Sequence, residues 1–237
     1  MLDKKPVSPE EVEEYELQLR FITFRRKLEI TRLEKFDFEG TFREFKRKTG
    51  KKRTRAMDVI DAWMRSGKRV LILSSPPGTG KTFAAALWLY CLWKRAWRKN
   101  LKWTFYFFQE KELFGASALP EEERREIVQD ARHATFLVVD DFGQVKPRGE
   151  YEEANMRLYY EDLIDWRRKL KKCEGTVPRL ILTTNLEIEK IKELPHLSER
   201  FWSRVKGIAE YKRIGDRDYR ELGLPDFLPS KVKIGKV

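Results

Sequence analysis

The segment SSPPGTGKT at positions 74–82 constrains the fold of this chain more than any other feature, because of what lies on either side of it. It follows the apolar run 70–73, which is typical of a buried strand, and precedes the alanine-rich apolar stretch 83–89, which is typical of a helix. A glycine-rich loop between a strand and a helix surrounds an anion with backbone N–H groups and the positive end of the helix dipole. The pattern therefore predicts a phosphate-binding loop and a bound nucleoside triphosphate.

The residue types within this loop indicate separate roles. Lys81 is expected to reach the β- and γ-phosphates of ATP, and the Thr82 hydroxyl is expected to ligate Mg²⁺. The usual pattern, G-x-x-x-x-G-K-[ST], has glycine at the position of Ser75. An ordinary Gly/Pro turn is the alternative, but it leaves the Gly-Lys-Thr entry into the helix unexplained. The predicted nucleotide-binding residues are Pro77, Gly78, Thr79, Gly80, Lys81, Thr82 and Phe83.

A second set of polar residues follows two other apolar runs. Asp140 and Asp141 come directly after the run 136–139, at the strand end where open α/β sheets bind ligands. We expect Asp140 to bind Mg²⁺, directly or through water, and Asp141 to polarise the attacking water. Asn185 follows the run 179–184 and is expected to sense the γ-phosphate or to position that water, although a turn-forming asparagine is the alternative.

Apolar strand patterns alternate with helical patterns along most of the chain. Strands buried on both faces read as continuous apolar runs, as parallel strands covered by helices do. The predicted fold is therefore α/β, a three-layer sandwich around a five-stranded parallel sheet. The predicted strands are 70–74, 103–108, 136–140, 179–184 and 207–211.

The N-terminal region has its own pattern. Ser8, Pro9 and Glu11 form a helix-start signal, so a helix is predicted from residue 9 toward residue 35. Its apolar stripe is expected to pack on the main domain or on a partner protein. The predicted division of the chain is 1–55, an N-terminal helix and basic linker that binds a partner or DNA; 56–214, the ATPase core; and 215–237, a short tail.

The formal net charge of +12 is unevenly distributed. The segment 41–55 holds eight basic residues against one acidic residue, and smaller basic clusters occur at 94–102 and 167–172. Such clustering is typical of a protein that binds the phosphate backbone of nucleic acid. Solubilising charges that offset a helix dipole are the alternative, mainly for the two smaller clusters.

The cysteine content and the lack of long apolar runs exclude some classes of protein. Cys91 and Cys173 form neither a disulfide framework nor a metal-ligand cluster, so structural zinc is not expected. No run of about 18 uncharged apolar residues occurs, and the first residues do not form an apolar signal stretch. We expect a cytoplasmic protein with no membrane partner.

The motifs GTGKT, VVDDFG, LTTN and SERFWSRV, in that order, resemble the AAA+ ATPases of the DnaC/DnaI/IstB group, over roughly residues 70–211. That resemblance implies an AAA+ fold and an ATPase of the kind that loads bacterial replicative helicases or assists certain transposons. By the same resemblance, Arg204 matches an arginine finger that acts on the nucleotide of a neighbouring subunit, with Arg200 as the competing candidate. The implied active unit is a self-oligomer, and the 33 residues after Arg204 are too few for a helical lid.

Together, the motifs and the basic segment predict a DNA replication helicase loader that hydrolyses ATP and binds single-stranded DNA and a replicative helicase. A transposition helper acting on double-stranded DNA shares the same motifs and stays open. So does a nucleotide-gated adaptor with little hydrolysis, which Ser75 and the short Asp141 side chain suggest. A small-molecule kinase is less favoured because the basic surface would have no purpose.

Overall fold

The computed structural model describes Leu33, residues 36–114, 121–169 and 175–215, and Tyr219. Five strands within these residues pair in parallel to form one sheet. The predicted five-stranded parallel sheet is therefore confirmed. The strands are β1 (Val70–Ser74), β2 (Phe105–Gln109), β3 (Phe136–Asp140), β4 (Arg179–Thr184) and β5 (Ala209–Arg213), arranged in the order β2-β3-β4-β1-β5.

Helices connect the strands and cover both faces of the sheet, as the strand–helix alternation of the sequence predicts. They are α1 (Phe38–Thr49), α2 (Arg55–Arg65), α3 (Lys81–Arg98), α4 (Glu110–Phe114), α5 (Glu121–His133), α6 (Glu150–Lys169), α7 (Ile188–Lys192) and α8 (Glu199–Val205).

Alternate residues of each strand point to opposite faces of the sheet. In β1, Leu71 and Leu73 join a buried cluster with α1, α2 and α3, whereas Val70 and Ile72 join a second cluster with α6 and α8. All five residues of β1 are buried, because helices exclude water from both sides. This arrangement confirms the three-layer α/β sandwich and explains the continuous apolar runs.

The strand order places the polar strand ends at one edge of the sheet. Ser74 lies opposite Thr184 in the β1–β4 ladder, and Gln109 lies opposite Asp140 in the β2–β3 ladder. The connection leaving β1 runs toward β2, whereas the connection leaving its neighbour β4 crosses to β5. Connections that leave neighbouring strands in opposite directions are typical of a ligand-binding edge in an α/β sheet.

The basic segment, which the sequence analysis assigned to a linker, contains a helix. Helix α1 begins after Asp37, whose side chain accepts from the N–H of Gly40 at 2.9 Å, and ends at Gly50, which has a φ of +66°. The side chains of Phe38 and Phe45 are buried. An aspartate at the start and a glycine at the end are helix signals. They were overlooked because the dense basic charge of the segment favoured a linker.

Other predictions fall partly outside the described residues. The helix predicted over residues 9–35 lies outside them except for Leu33, and the tail 215–237 lies outside them except for Gly215 and Tyr219. The predicted lack of a helical lid concerns this tail and so lies largely outside the described residues. None of the helices in the described ranges is both long enough and apolar enough to cross a membrane.

Candidate nucleotide-binding site

The loop between β1 and α3 has the backbone that its glycines predict. Gly78 and Gly80 both have a φ of +81°, a left-handed conformation that glycine adopts without the steric cost that a Cβ atom imposes. Gly80 directly precedes the first turn of α3. Two left-handed residues at the start of a helix are typical of loops whose N–H groups surround an anion.

Lys81 is the first residue of α3 and folds its side chain back onto this loop, with only 6% of its surface exposed. Its Nζ donates to the backbone oxygens of Ser75 at 2.7 Å and Pro76 at 2.9 Å, and to Asn185 Oδ1 at 2.9 Å. Two predicted site residues that are 104 positions apart are thus in direct contact. Because the ammonium is buried and held on several sides, its position is defined by the fold.

The serine that replaces the usual first glycine takes part in the same network. Ser75 Oγ accepts from Lys81 Nζ at 3.0 Å and also contacts the hydroxyl of Thr79. The non-glycine residues of the described chain with positive φ are Asn100 and Asp141, so the backbone at Ser75 does not require glycine. The departure from the common pattern is therefore compatible with the loop and adds a hydroxyl to it.

The predicted magnesium ligands meet at the end of β3. Thr82 Oγ1 donates to Asp140 Oδ1 at 2.8 Å, and the hydroxyl of Thr183 donates to the same carboxylate oxygen. Asp140 is only 1% exposed. Burial raises the pKa of its carboxyl group and the neighbouring carboxylate of Asp141 raises it further, while hydrogen bonds from Thr183, Thr82 and Gln109 lower it.

This donor set fits Mg²⁺. The hydroxyl and amide groups that donate to Asp140 are uncharged, so they only partly offset the cost of burying a carboxylate. A divalent cation would offset that cost directly, and Mg²⁺ prefers oxygen ligands, usually one or two carboxylates together with waters and phosphates. Thr82 and Asp140 are the residues that would hold it.

Asp141 differs from Asp140 in both conformation and exposure. Its φ is +57°, its side chain is partly exposed, and its N–H donates to Thr183 Oγ1 at 3.3 Å. The next N–H, that of Phe142, donates to the backbone oxygen of Thr183 at 2.8 Å. The turn after β3 is therefore held against β4, and Asp141 stands at the rim of the buried site.

Glu110 is a buried residue of this region that the sequence analysis did not single out. Its Oε2 accepts from the N–H of Val145 at 2.9 Å, and its Oε1 accepts from the Tyr160 hydroxyl at 2.6 Å. Burial raises the pKa of Glu110, while Tyr160 and the backbone N–H groups of residues 143–145 lower it. Glu110 therefore anchors the loop that follows Asp141.

The sequence analysis also missed Gln109 and Thr183, which both donate to Asp140. Polar residues at the last positions of otherwise apolar strands are the signal that would have identified them. Glu110 offers a weaker signal because an acidic residue at the start of a helix is common.

The two candidate arginines lie on α8 and have different surroundings. The Arg204 side chain is 14% exposed, and its Nη1 lies 3.0 Å from Asp165 Oδ2 and 3.5 Å from Glu161 Oε2. The Arg200 side chain is 67% exposed, and its Nε lies 3.3 Å from the same Glu161 oxygen. Arg204 thus connects α8 to α6, whereas Arg200 lies mainly in solvent.

No family model and no curated protein matches the chain. Among solved structures, the chain is similar to DnaI, with 18% identity, a TM-score of 0.45, and coverage of 68% of this chain and 82% of that one. It is also similar to a DNA replication initiation factor, with 16% identity, a TM-score of 0.46, and coverage of 66% of this chain and 44% of that one.

A third similar structure is the Pif1 helicase from Candida albicans, with 13% identity, a TM-score of 0.40, and coverage of 72% of this chain and 41% of that one. The chain therefore spans less than half the length of this helicase and of the initiation factor. Because the identities are under 20% and the TM-scores are below 0.5, these similarities do not indicate a function. The function is therefore inferred from the geometry of the site.

Proposed function

We propose that this chain binds MgATP and hydrolyses it to ADP and phosphate. One observation carries the proposal: Thr82 Oγ1, from the first turn of α3, lies 2.8 Å from Asp140 Oδ1, at the end of β3. This contact brings the glycine-rich loop and the paired aspartates to one point, beside the buried ammonium of Lys81. A metal-bound triphosphate needs that combination of an anion-binding loop, a lysine and metal-ligand oxygens.

The remaining polar groups suit the hydrolytic step. Asp141 lies at the rim of the site, where its carboxylate would accept a proton from the attacking water. Asn185 contacts Lys81, which is expected to bind the γ-phosphate. Its amide would therefore respond to whether a γ-phosphate is bound. With these roles, the attacking water would lie between the ends of β3 and β4.

Hydrolysis is completed by an arginine from a neighbouring subunit, so the active unit is a self-oligomer. The 67% exposure of Arg200 supports it as this residue, because its largely exposed side chain would leave a single ion-pair contact, with Glu161, to reach a partner. Arg204 would first have to leave Asp165 and Glu161. Arg204, the residue matched by the sequence resemblance, then serves to attach α8 to α6.

The biological role that we propose is that of a replicative helicase loader that binds single-stranded DNA. Two features support it: the resemblance of the ordered motif series to helicase loaders, and the basic residues carried by α1 and the segment after it. Hydrolysis of ATP would release the bound helicase. Both partners, the DNA and the helicase, are inferred from the group of proteins that the motifs resemble. For DNA, the exposed basic charge of this chain gives further support.

The experiment is to measure ATP turnover with Mg²⁺, alone, with single-stranded DNA, and with a bacterial replicative helicase. We expect turnover that requires Mg²⁺, rises with single-stranded DNA and is lost in Asp140→Asn, which keeps the size of the side chain. Glu189→Gln, at an exposed position on α7, is the matched control and should behave as the wild type.

Other outcomes separate the alternatives. Stimulation by double-stranded DNA together with binding to a transposase would replace the loader by a transposition helper. Tight ATP binding without turnover under all conditions would identify a nucleotide-gated adaptor. Absence of ATP binding by the wild-type chain would overturn the proposal altogether.

A further inference from the structure

A contact outside the roles assigned above joins the phosphate loop to Tyr219. The backbone N–H of Tyr219 donates to the backbone oxygen of Gly78 at 2.8 Å. A Cβ atom built on Gly80 would lie 3.6 Å from Cδ2 of the Tyr219 ring, so the ring packs directly on this glycine. Tyr219 thus touches both left-handed residues of the loop.

The same ring packs on the basic helix. The rings of Tyr219 and Phe45 have centroids 5.5 Å apart and lie at 75° to each other, an edge-to-face contact. Both side chains are buried, and they form a small apolar cluster separate from the two main clusters on the faces of the sheet. Tyr219 is therefore packed between the phosphate loop and α1.

The basic segment also reaches the loop at a second point. Thr54, which follows Lys51, Lys52 and Arg53, caps α2 by accepting from the N–H of Met57 at 3.2 Å. Its Cγ2 would lie 4.0 Å from a Cβ atom on Gly80. The segment 41–55, where basic residues are most densely clustered, thus borders Gly80 directly through Thr54 and indirectly through Phe45 and Tyr219.

We propose that Tyr219 is a positioning residue of the nucleotide site and that it couples ATP binding to the binding of single-stranded nucleic acid on α1. This inference rests on the proposed function, since it requires both ligands. Phosphate would contact the backbone at Gly78 and Gly80 on one side of the ring, and nucleic acid would contact α1, which carries Phe45, on the other. Each ligand would hold one of the two surfaces that pack on Tyr219, so binding of one favours the ring position that the other uses.

Coupling of this kind is reciprocal: each ligand must raise the affinity for the other by the same factor. The test measures the Kd of MgATP with and without saturating oligo-dT, and the Kd of oligo-dT with and without saturating MgATP. In the full wild-type chain we expect both ratios to be equal and about 5- to 150-fold, the usual range of allosteric coupling.

Four variants test whether the Tyr219 ring carries the coupling between the two ligands. Tyr219→Ala should bring both ratios close to one while the Kd of oligo-dT alone stays unchanged, because the basic side chains are intact. Tyr219→Phe keeps the ring and the backbone N–H and should keep the coupling. Phe45→Leu keeps an apolar side chain on α1 without the ring contact and should weaken the coupling. Tyr151→Ala, which removes an aromatic ring that is 83% exposed, is the matched control.

The outcomes are distinguishable. If the wild-type chain binds both ligands but each Kd is independent of the other ligand, or if Tyr219→Ala keeps the full coupling, the inference is wrong and the nucleotide site stands. If the chain binds MgATP but not oligo-dT, the inference also fails while ATP binding remains. If it binds no MgATP, the proposed function and the inference fall together.

Discussion

Two regions of this chain are suited to binding phosphate, and they are built in opposite ways. In the loop between β1 and α3, a single lysine is buried and held by backbone, hydroxyl and amide oxygens. In the segment 41–55, many basic side chains lie on the surface, and Arg47 and Lys48 pair with Glu44 of their own helix. The loop region thus fixes the position of one positive charge, whereas the basic segment presents many positive charges on its surface.

The difference predicts two kinds of binding. A fixed ammonium with oriented N–H groups recognises one phosphate geometry, and its position is protected from screening by salt. Exposed charges bind any phosphate backbone, and their contribution falls steeply as salt concentration rises. Substitutions should therefore have large, specific effects in the loop and small, additive effects in the basic segment.

The largest effect is expected for the buried lysine. Lys81→Ala should abolish ATP binding and turnover, because it removes the one buried cation among the loop oxygens. Lys52→Ala makes the same change in the exposed segment and should leave turnover without DNA unchanged. Calorimetric ATP titration and phosphate release measure both. Equal effects of the two substitutions would remove the contrast between the regions.

The same contrast distinguishes the two arginines of α8. Arg200→Ala should lower turnover by about 10³-fold or more with little change in stability, as expected for an arginine finger. Arg204→Ala should instead lower the free energy of unfolding by about 1–3 kcal/mol, because Asp165 and Glu161 lose a largely buried partner. Urea unfolding and turnover of both variants test this assignment, which an unaltered turnover in Arg200→Ala would contradict.

A buried histidine that contacts α6 makes the stability of this fold depend on pH. His196 is fully buried against the ring of Tyr160, and burial lowers its pKa to about 4. Between pH 6.5 and 4 the unfolded chain binds a proton at His196 that the folded chain does not. The free energy of unfolding should therefore fall by about 3 kcal/mol from this residue as the pH decreases through that range.

The measurement compares urea unfolding of the wild type and His196→Phe across this pH range. The variant lacks the titrating group, so its stability should fall less steeply toward low pH. Parallel curves for the two proteins would show that His196 does not contribute the expected proton linkage.

The smallest effects are expected for single charges of the basic segment. Arg53 is a poor choice for this test because it pairs with Asp58 and Asp61. Replacing the exposed residues Lys46, Lys51 and Lys52 with alanine should flatten the slope of log K against log salt for oligo-dT by up to about 2. The control with the same loss of charge replaces Lys146, Lys192 and Lys206, which are also exposed. An equal change in both triple variants would show that the basic segment is not a localised DNA site.

The central strands could be predicted with their observed bounds, but the edge strands could not. The predictions for 70–74, 136–140 and 179–184 coincide with β1, β3 and β4, which lie inside the sheet and read as continuous apolar runs. Each predicted edge strand begins two residues before the observed one, β2 or β5. An edge strand has one paired neighbour and weaker burial, so contacts with that neighbour decide where it begins.

The sequence by itself determined the sheet, the loop and the residues that meet in two pairs, Thr82 with Asp140 and Lys81 with Asn185, because local patterns encode strands, turns and helix starts. Only the tertiary structure showed that Gln109, Glu110 and Thr183 support the aspartates and that Tyr219 packs between the phosphate loop and α1. These contacts join segments far apart in the chain, and their partners are set by packing in three dimensions, which no local pattern specifies.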